Sequence, residues 1–280
     1  MARTGVVSAL GGTALQRRLA IGTVSAWCGR PGAAAAWSYA ADVEHYAAST
    51  IKLAVLVAAY RLSDTGRLDL DQQVIVHDEF DSVVNGTFRM DRGYDNDEEP
   101  WERIGTRVPL RWLARRMIVR SSNLATSLLL ESVPIQAVDR ALAVCGATRS
   151  ALRRPISDTA AIAAGITNVV TAADLAAILA ALATSRAASA ASCAEMLDVL
   201  SAQEYRDEIP AALPAGVPVA SKGGWVEGIQ HDAALITAPD APAYILVVCT
   251  TGLSEVDGRD LIREISAAAW SDRHSLGSAE

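Results

Sequence analysis

The chain is 280 residues long, 51 % hydrophobic and 20 % charged, an ordinary globular balance with ample material for a large buried core. Its net charge of −7, with no basic cluster, argues against nucleic acid or an anionic membrane surface as a partner. No apolar stretch approaches the ~20 residues of a membrane span. Residues 1–12 hold only a short, glycine-broken apolar patch with one basic residue, Arg3, which is not the pattern of a secretory leader; the expected compartment is the cytoplasm.

Residues 5–18 read as an opening helix. Residues 19–27 carry β-favouring side chains and lead into Gly29-Arg30-Pro31-Gly32, a turn signal, with a return strand over 33–39. From Thr50 to Arg61, apolar positions Ile51, Leu53, Ala54, Val57 and Tyr60 follow a helical period, and the helix is expected to end near Gly66. Residues 67–108 are mixed and polar. Within them, 91–102 hold six acidic residues with Gly93 and Pro100, read as a solvated loop rather than a metal site. Helical patterns then run over 110–118, 122–131, 135–144, 171–184 and 189–200. Beyond Pro210 and Pro214, residues 217–221, 232–237 and 244–251 read as strands, and 256–270 as a closing helix. The four cysteines, Cys28, Cys145, Cys193 and Cys249, show neither C-x-x-C nor metal spacing and read as reduced, partly buried thiols.

Strands at both ends and helices between them predict an α/β fold of the α+β type. One domain spans 1–280: an antiparallel sheet flanked by helices is assembled from 1–60 and 210–280, and an all-helical lobe, 61–209, is inserted. Sites often form where two such lobes meet.

Three short motifs carry the chemistry. The first is Ser49-Thr50-Ile51-Lys52 at a helix start. A serine hydroxyl needs a nearby base to act as a nucleophile, and positions i and i+3 share a helix face, so the Lys52 amine can sit beside Ser49. The second is Ser121-Ser122-Asn123, also at a helix start; Ser121 can relay a proton, and the Asn123 amide can bind a substrate carbonyl. The third is Lys222-Gly223-Gly224 followed by Trp225. Read as an edge strand facing the serine, it lets Lys222 supply positive charge and the glycines admit a substrate backbone, and the Trp225 N–H can join that of Ser49 as an oxyanion hole. Each motif alone is equally well an N-cap or a turn.

Taken in this order, the motifs resemble the S-x-x-K, S-D-N and K-T-G signatures of the class A β-lactamases and the related penicillin-binding proteins. The flanking residues Ala48-Ser49-Thr50-Ile51-Lys52-Leu53 and Met117-Ile118-Val119-Arg120-Ser121-Ser122-Asn123-Leu124-Ala125-Thr126 are similar too. The resemblance covers about residues 5 to 271. It implies the β-lactamase/transpeptidase fold, a Ser49 acyl-enzyme with Lys52, Ser121 and Lys222 as its proton machinery, and no metal or organic cofactor. The partner it implies is a small molecule with an amide, ester or lactam carbonyl.

The departures are specific. Class A enzymes carry a deacylating glutamate in a loop that corresponds to 153–171 here, and no glutamate occurs there. Asp158 is the only carboxylate in that loop, read either as a helix cap or as a possible deacylation group. Ser122 stands for the usual aspartate, so a structural hydrogen bond is expected to weaken. Gly223 stands for threonine, which removes a hydroxyl that would hold a substrate carboxylate. His231 aligns near the family's carboxylate-binding arginine and could partly compensate if protonated; otherwise it is a strand or turn residue bonded to its neighbours. Hydrolysis, acyl transfer to an amine or alcohol, and a non-catalytic binding role all remain open on these residues.

Overall fold

The computed structural model describes residues 21–277; the expected helix over 5–18 lies outside them. Five antiparallel strands form the main sheet: β1 (Thr23–Gly29), β2 (Ala35–Tyr39), β3 (Val219–Val226), β4 (Ile229–Ile236) and β5 (Tyr244–Thr251), in the spatial order β2-β1-β5-β4-β3. The two ends of the chain therefore meet in the middle of the sheet, where Cys28 lies opposite Leu246. β3 is an edge strand.

Alternation along β5 explains how the sheet is covered. Ile245, Val247 and Cys249 point into one apolar cluster, while Tyr244, Leu246 and Val248 point into another, as the period of two demands. The second face is closed by α7 (Glu255–Ser271), through Leu261, Ile262, Ile265 and Ala269. Burying each of its large apolar side chains contributes roughly 1.5–3 kcal/mol.

The first face meets the helical body: α1 (Lys52–Asp64), α2 (Leu110–Val119), α3 (Asn123–Ser132), α4 (Ile135–Cys145), α5 (Ala172–Ala183) and α6 (Ala190–Ser201). α5 lies in the segment expected in the helical lobe, yet it packs directly on the sheet. Its sequence explains this. Alanine and leucine fill nearly every position, so it can be buried all round. Sheet and helical body share one continuous core.

Two differences from the expected elements matter for the site. β3 is longer than the strand expected over 217–221 and runs through Lys222, Gly223, Gly224 and Trp225, so of the two readings of the third motif, turn and edge strand, the edge strand is realised. Residues 91–102 are not simply solvated. Asp97 is buried and paired with Arg116, while Asp91 and Asp97 cap short helical turns by accepting from Gly93 N and Glu99 N. Charge pairing and capping, together with the burial of Pro100 and Trp101, hold this segment against the helical body.

Candidate active site

Ser49 stands in a 3-10 turn, Ala48–Ile51, that feeds α1. In a 3-10 turn, side chains at i and i+3 eclipse, so Lys52 rises from the same side as Ser49. The entry is strained: Ala48, the residue before the serine, has φ 43°, a left-handed conformation that a side chain disfavours. Close packing holds it there. A Cβ built on Gly224 would lie 2.7 Å from Ser49 N, 2.9 Å from Thr50 N and 3.2 Å from Ala48 Cβ. Strand β3 is thus pressed against the serine's own backbone, and only glycine fits at 224.

Lys52 is fully buried. Its Nζ donates to Ser121 O at 2.7 Å and Asn123 Oδ1 at 2.8 Å, with Ser121 Oγ and Ser122 O at 3.4 Å. Burial pushes its pKa well below the ordinary lysine value, as does the charge of Lys222, against a smaller raising effect of Asp95. A neutral amine has two N–H groups. The two short bonds use both, leaving its lone pair for an incoming proton.

Lys222, also fully buried, donates to Ser121 Oγ at 2.9 Å and to Gly223 O at 2.7 Å. Burial brings its pKa down to about 7, opposed by Asp232 and Glu208. Ser121 Oγ therefore lies between two lysines whose ammonium forms are both disfavoured. Ser121 is held at φ 55°, which turns its carbonyl and its hydroxyl toward the same amine. Asn123 opens α3 and splits its amide: Oδ1 accepts from Lys52, and Nδ2 donates to Tyr94 O at 2.8 Å. Trp225 lies at the far end of the motif, with its ring 5.0 Å from that of Tyr205. Tyr205 in turn donates to Asn96 O at 3.0 Å, tying residues 91–102 to the segment before β3. A serine three residues before a buried amine, a second serine between two amines, and a glycine strand against the first serine's N–H form a set suited to acyl transfer.

The model of the beta-lactamase enzyme family matches residues 15–272. The chain belongs to that family. A β-lactamase from Sphaerobacter thermophilus is 27 % identical, with a TM-score of 0.78 over 99 % of this chain and 100 % of that one. A β-lactamase from Xanthomonas campestris is 19 % identical, with a TM-score of 0.80 over 98 % and 100 %. The protein PBP-A is 19 % identical, with a TM-score of 0.76 over 92 % and 94 %; these last two likenesses speak to the fold. No match was found among curated proteins.

Within this β-lactamase family member, two residues that the sequence left with two readings, Asp158 and His231, take the structural one. Asp158 is not aimed at a reacting water. Its carboxylate accepts from Ser82 Oγ, Val83 N and Ala161 N at 2.9–3.0 Å, capping the short helix Thr159–Ala163 and anchoring the loop at 82–83. The capping alternative is the one realised. The loop's base closes instead on Asn168, which accepts from Arg153 N and Arg154 N and whose carbonyl takes Ala47 N, two residues before Ser49. His231 is not a cation at the cleft. It is buried, with Nε2 2.9 Å from Tyr46 O and Nδ1 accepting from Thr250 N at 3.1 Å. Nδ1 also lies 2.8 Å from Gln230 O, so both ring nitrogens are engaged by backbone, and burial lowers the pKa of the ring.

Asp95 is a residue that the motifs did not reveal. Its carboxylate accepts from Asn123 N at 3.0 Å, Leu124 N at 2.8 Å, Trp101 Nε1 at 3.0 Å and Ser122 Oγ at 3.3 Å. It brings an acidic group to the α3 N-terminus, where negative charge is favoured. The hydrogen bonding expected to weaken at Ser122 is supplied from the acidic segment. Glu208 and Asp232, also unforeseen, flank Gly223.

Proposed function

We propose that the protein is a serine acyl-enzyme hydrolase of the β-lactamase type, acting on a β-lactam or a related amide or ester. Ser49 Oγ bonds to the carbonyl carbon as its proton passes to Lys52 Nζ. The oxyanion is held by the N–H groups of Ser49 and Trp225. As the carbon–leaving-group bond breaks, Ser121 gives its hydroxyl proton to the departing atom and is reprotonated from the lysine pair. Water then releases the acyl group. The observation that carries this reading is the buried run from Lys52 through Ser121 to Lys222, in which, among the described residues, no hydrogen bond of either lysine goes to a carboxylate and burial disfavours both ammonium ions.

A second reading, acyl transfer to an amine or alcohol, is favoured by one observation. The segment 153–171 has no glutamate, and its one carboxylate is fully engaged in capping. A slow deacylation step gives another nucleophile time to reach the acyl-enzyme.

Intact-protein mass spectrometry over time, with a chromogenic β-lactam and beside Ser49→Ala, tests both. A persistent adduct absent from Ser49→Ala favours transfer. Turnover without accumulation, lost in Ser49→Ala, favours hydrolysis. Absence of adduct and turnover with β-lactams, aryl esters and thioesters alike would overturn both and leave a non-catalytic binding role.

A further inference from the structure

Three successive residues before Ser49 are each tied to a different part of the fold. His45 is buried, with Nε2 2.8 Å from Ser25 Oγ on β1 and Nδ1 2.8 Å from Thr251 Oγ1 on β5. Ser25 spends its one hydroxyl proton on Ala40 O at 2.8 Å, so it accepts from His45 Nε2–H, and Nδ1 accepts from Thr251. Tyr46 O lies 2.9 Å from His231 Nε2 on β4; a carbonyl oxygen only accepts, so this nitrogen carries a proton. Ala47 N donates to Asn168 O at 3.0 Å. Ala48 follows, at φ 43°.

The register of the sheet links these ties to the serine. His231 lies directly opposite Gly224, and directly opposed residues share a face. One cross-strand pair therefore meets the chain on both sides of Ala48: His231 at the Tyr46 carbonyl, two residues before it, and Gly224 at Ser49 N, directly after it. A left-handed alanine persists only where its surroundings over-determine it. Here both ends of the strained link are fixed to neighbouring residues of one sheet. The His231 ring is fixed in turn: Nδ1 is held between Gln230 O and Thr250 N, and the His45 ring stands edge-on to it, with centroids 5.4 Å apart. Burial lowers the pKa of both rings, that of His45 to about 4, so both are neutral near pH 7.

We propose that His231, braced by His45, is a positioning residue for acylation: it holds Tyr46 O while Gly224 holds Ser49 N, and so keeps Ala48 left-handed and Ser49 aimed at the reacting carbonyl. The inference deepens the acyl-enzyme reading and rests on it. Neither histidine touches the substrate; both act through the backbone that leads to Ser49. Without the Nε2–H bond to Tyr46 O, one end of the strained link is released. Ala48 then relaxes toward ordinary backbone angles, and the Ser49 N–H turns away from the point where it would meet an oxyanion together with the Trp225 N–H.

The test follows nitrophenolate release from the 4-nitrophenyl ester of phenylacetylglycine by stopped flow, with mass spectrometry confirming the adduct on Ser49, at a temperature where every variant is folded by circular dichroism. His231→Leu fills a similar volume but cannot donate to Tyr46 O. Its limiting acylation rate constant is expected to fall at least about tenfold, with the half-saturating ester concentration within about threefold of the parent's. His231→Gln, whose amide can bring an N–H close to the former Nε2, should restore the rate to within about threefold. In an Ala48→Gly background, where positive φ carries no strain, the same His231→Leu change should cost less than about threefold. A leucine variant that acylates within threefold of the parent, a glutamine variant as slow as the leucine one, or an equal loss in both backgrounds would overturn the proposal while leaving the acyl-enzyme intact. If His231→Leu does not fold, His231→Asn, whose amide falls short of Tyr46 O, takes its place with the same expectations. If neither this ester nor a chromogenic β-lactam acylates Ser49 in the parent, the acyl-enzyme reading itself fails. The clamp is then decided by NMR: a Ser49 amide resonance displaced in His231→Leu and restored in His231→Gln upholds it, and an unmoved resonance refutes it.

Discussion

Replacing Gly224 with alanine perturbs the site at its tightest point. The new methyl group would sit 2.7 Å from Ser49 N and 2.9 Å from Thr50 N, and both of those atoms belong to backbone fixed by the 3-10 turn. Reaching the 3.4 Å of an ordinary contact requires β3 and the turn to part by about 0.7 Å. The strand can yield because it is an edge strand, bonded on one side only to β4, so the fold should survive with a modest fall in Tm. The Ser49 and Trp225 N–H groups would then be spread relative to one oxyanion. Losing one such donor costs about 10²–10³ in rate. Acylation by a neutral aryl ester, followed by stopped flow and confirmed by mass spectrometry on Ser49, should therefore drop by that factor, while circular dichroism and the single melting transition persist. A Gly224→Ala variant that acylates within threefold of the parent, with its Tm unchanged, would refute the claim that β3 and Ser49 are held in register by the absence of a side chain at 224.

Three further outcomes follow from the same geometry. Asp95→Asn removes a charge that raises the Lys52 pKa, so the acid limb of the acylation pH–rate profile should move to lower pH, alongside a stability loss of about 1–3 kcal/mol from the weakened α3 cap; a limb that moves to higher pH would contradict the proposed role of Lys52. Asp158→Ala should lower Tm through the loss of its three donors yet leave the deacylation rate constant as it was; deacylation slowed tenfold at unchanged Tm would return Asp158 to the chemistry. Burial raises the Asp232 pKa to about 7, so the folded state holds that proton more tightly than the unfolded state, and stability falls as pH rises from about 4 to 7. Asp232→Asn should therefore be more stable than the parent at pH 8, by on the order of 2–4 kcal/mol, and nearly equal to it at pH 4. A difference in Tm that is the same at both pH values would refute this.

The parts of the fold with strong periodicity were legible from the sequence. β5 occupies the expected 244–251, and α2 to α6 fall within one or two residues of the expected spans, because their apolar residues recur at helical spacing and Ser, Thr or Pro marks the start of each of α3 to α6, with Pro109 before α2. β3 was not legible in full. Lys222, Gly223, Gly224 and Trp225 read locally either as a turn or as a continuing edge strand, and pairing with β4 decides for the strand. The proposed reacting groups, Ser49, Lys52, Ser121 and Lys222, and the proposed substrate-binding Asn123, were legible because motif spacing fixes them to helix starts and one strand. Their supports were not. Asp158 was legible as a helix cap, but its bonds to 82–83 and the role of Asp95 depend on which loop meets which helix end, and an acidic run looks the same whether it is solvated or capping. Gln230, His231 and Asp232 did carry a readable signal. Three polar residues in succession inside an apolar strand mark a place where one face of a sheet is not simply core.

The shared core has a consequence for how the protein can move. A single apolar cluster runs from α1 and α4 through α5 to the inner face of β5, so sheet and helical body cannot hinge apart without breaking it. Access to Ser49 must then be governed by the rim, where Tyr205 fastens residue 96 across to the β3 side. A lengthened or shortened rim would change which molecules enter, without touching the reservoir of stability beneath, and the cleft floor would stay as rigid as the core on which it rests.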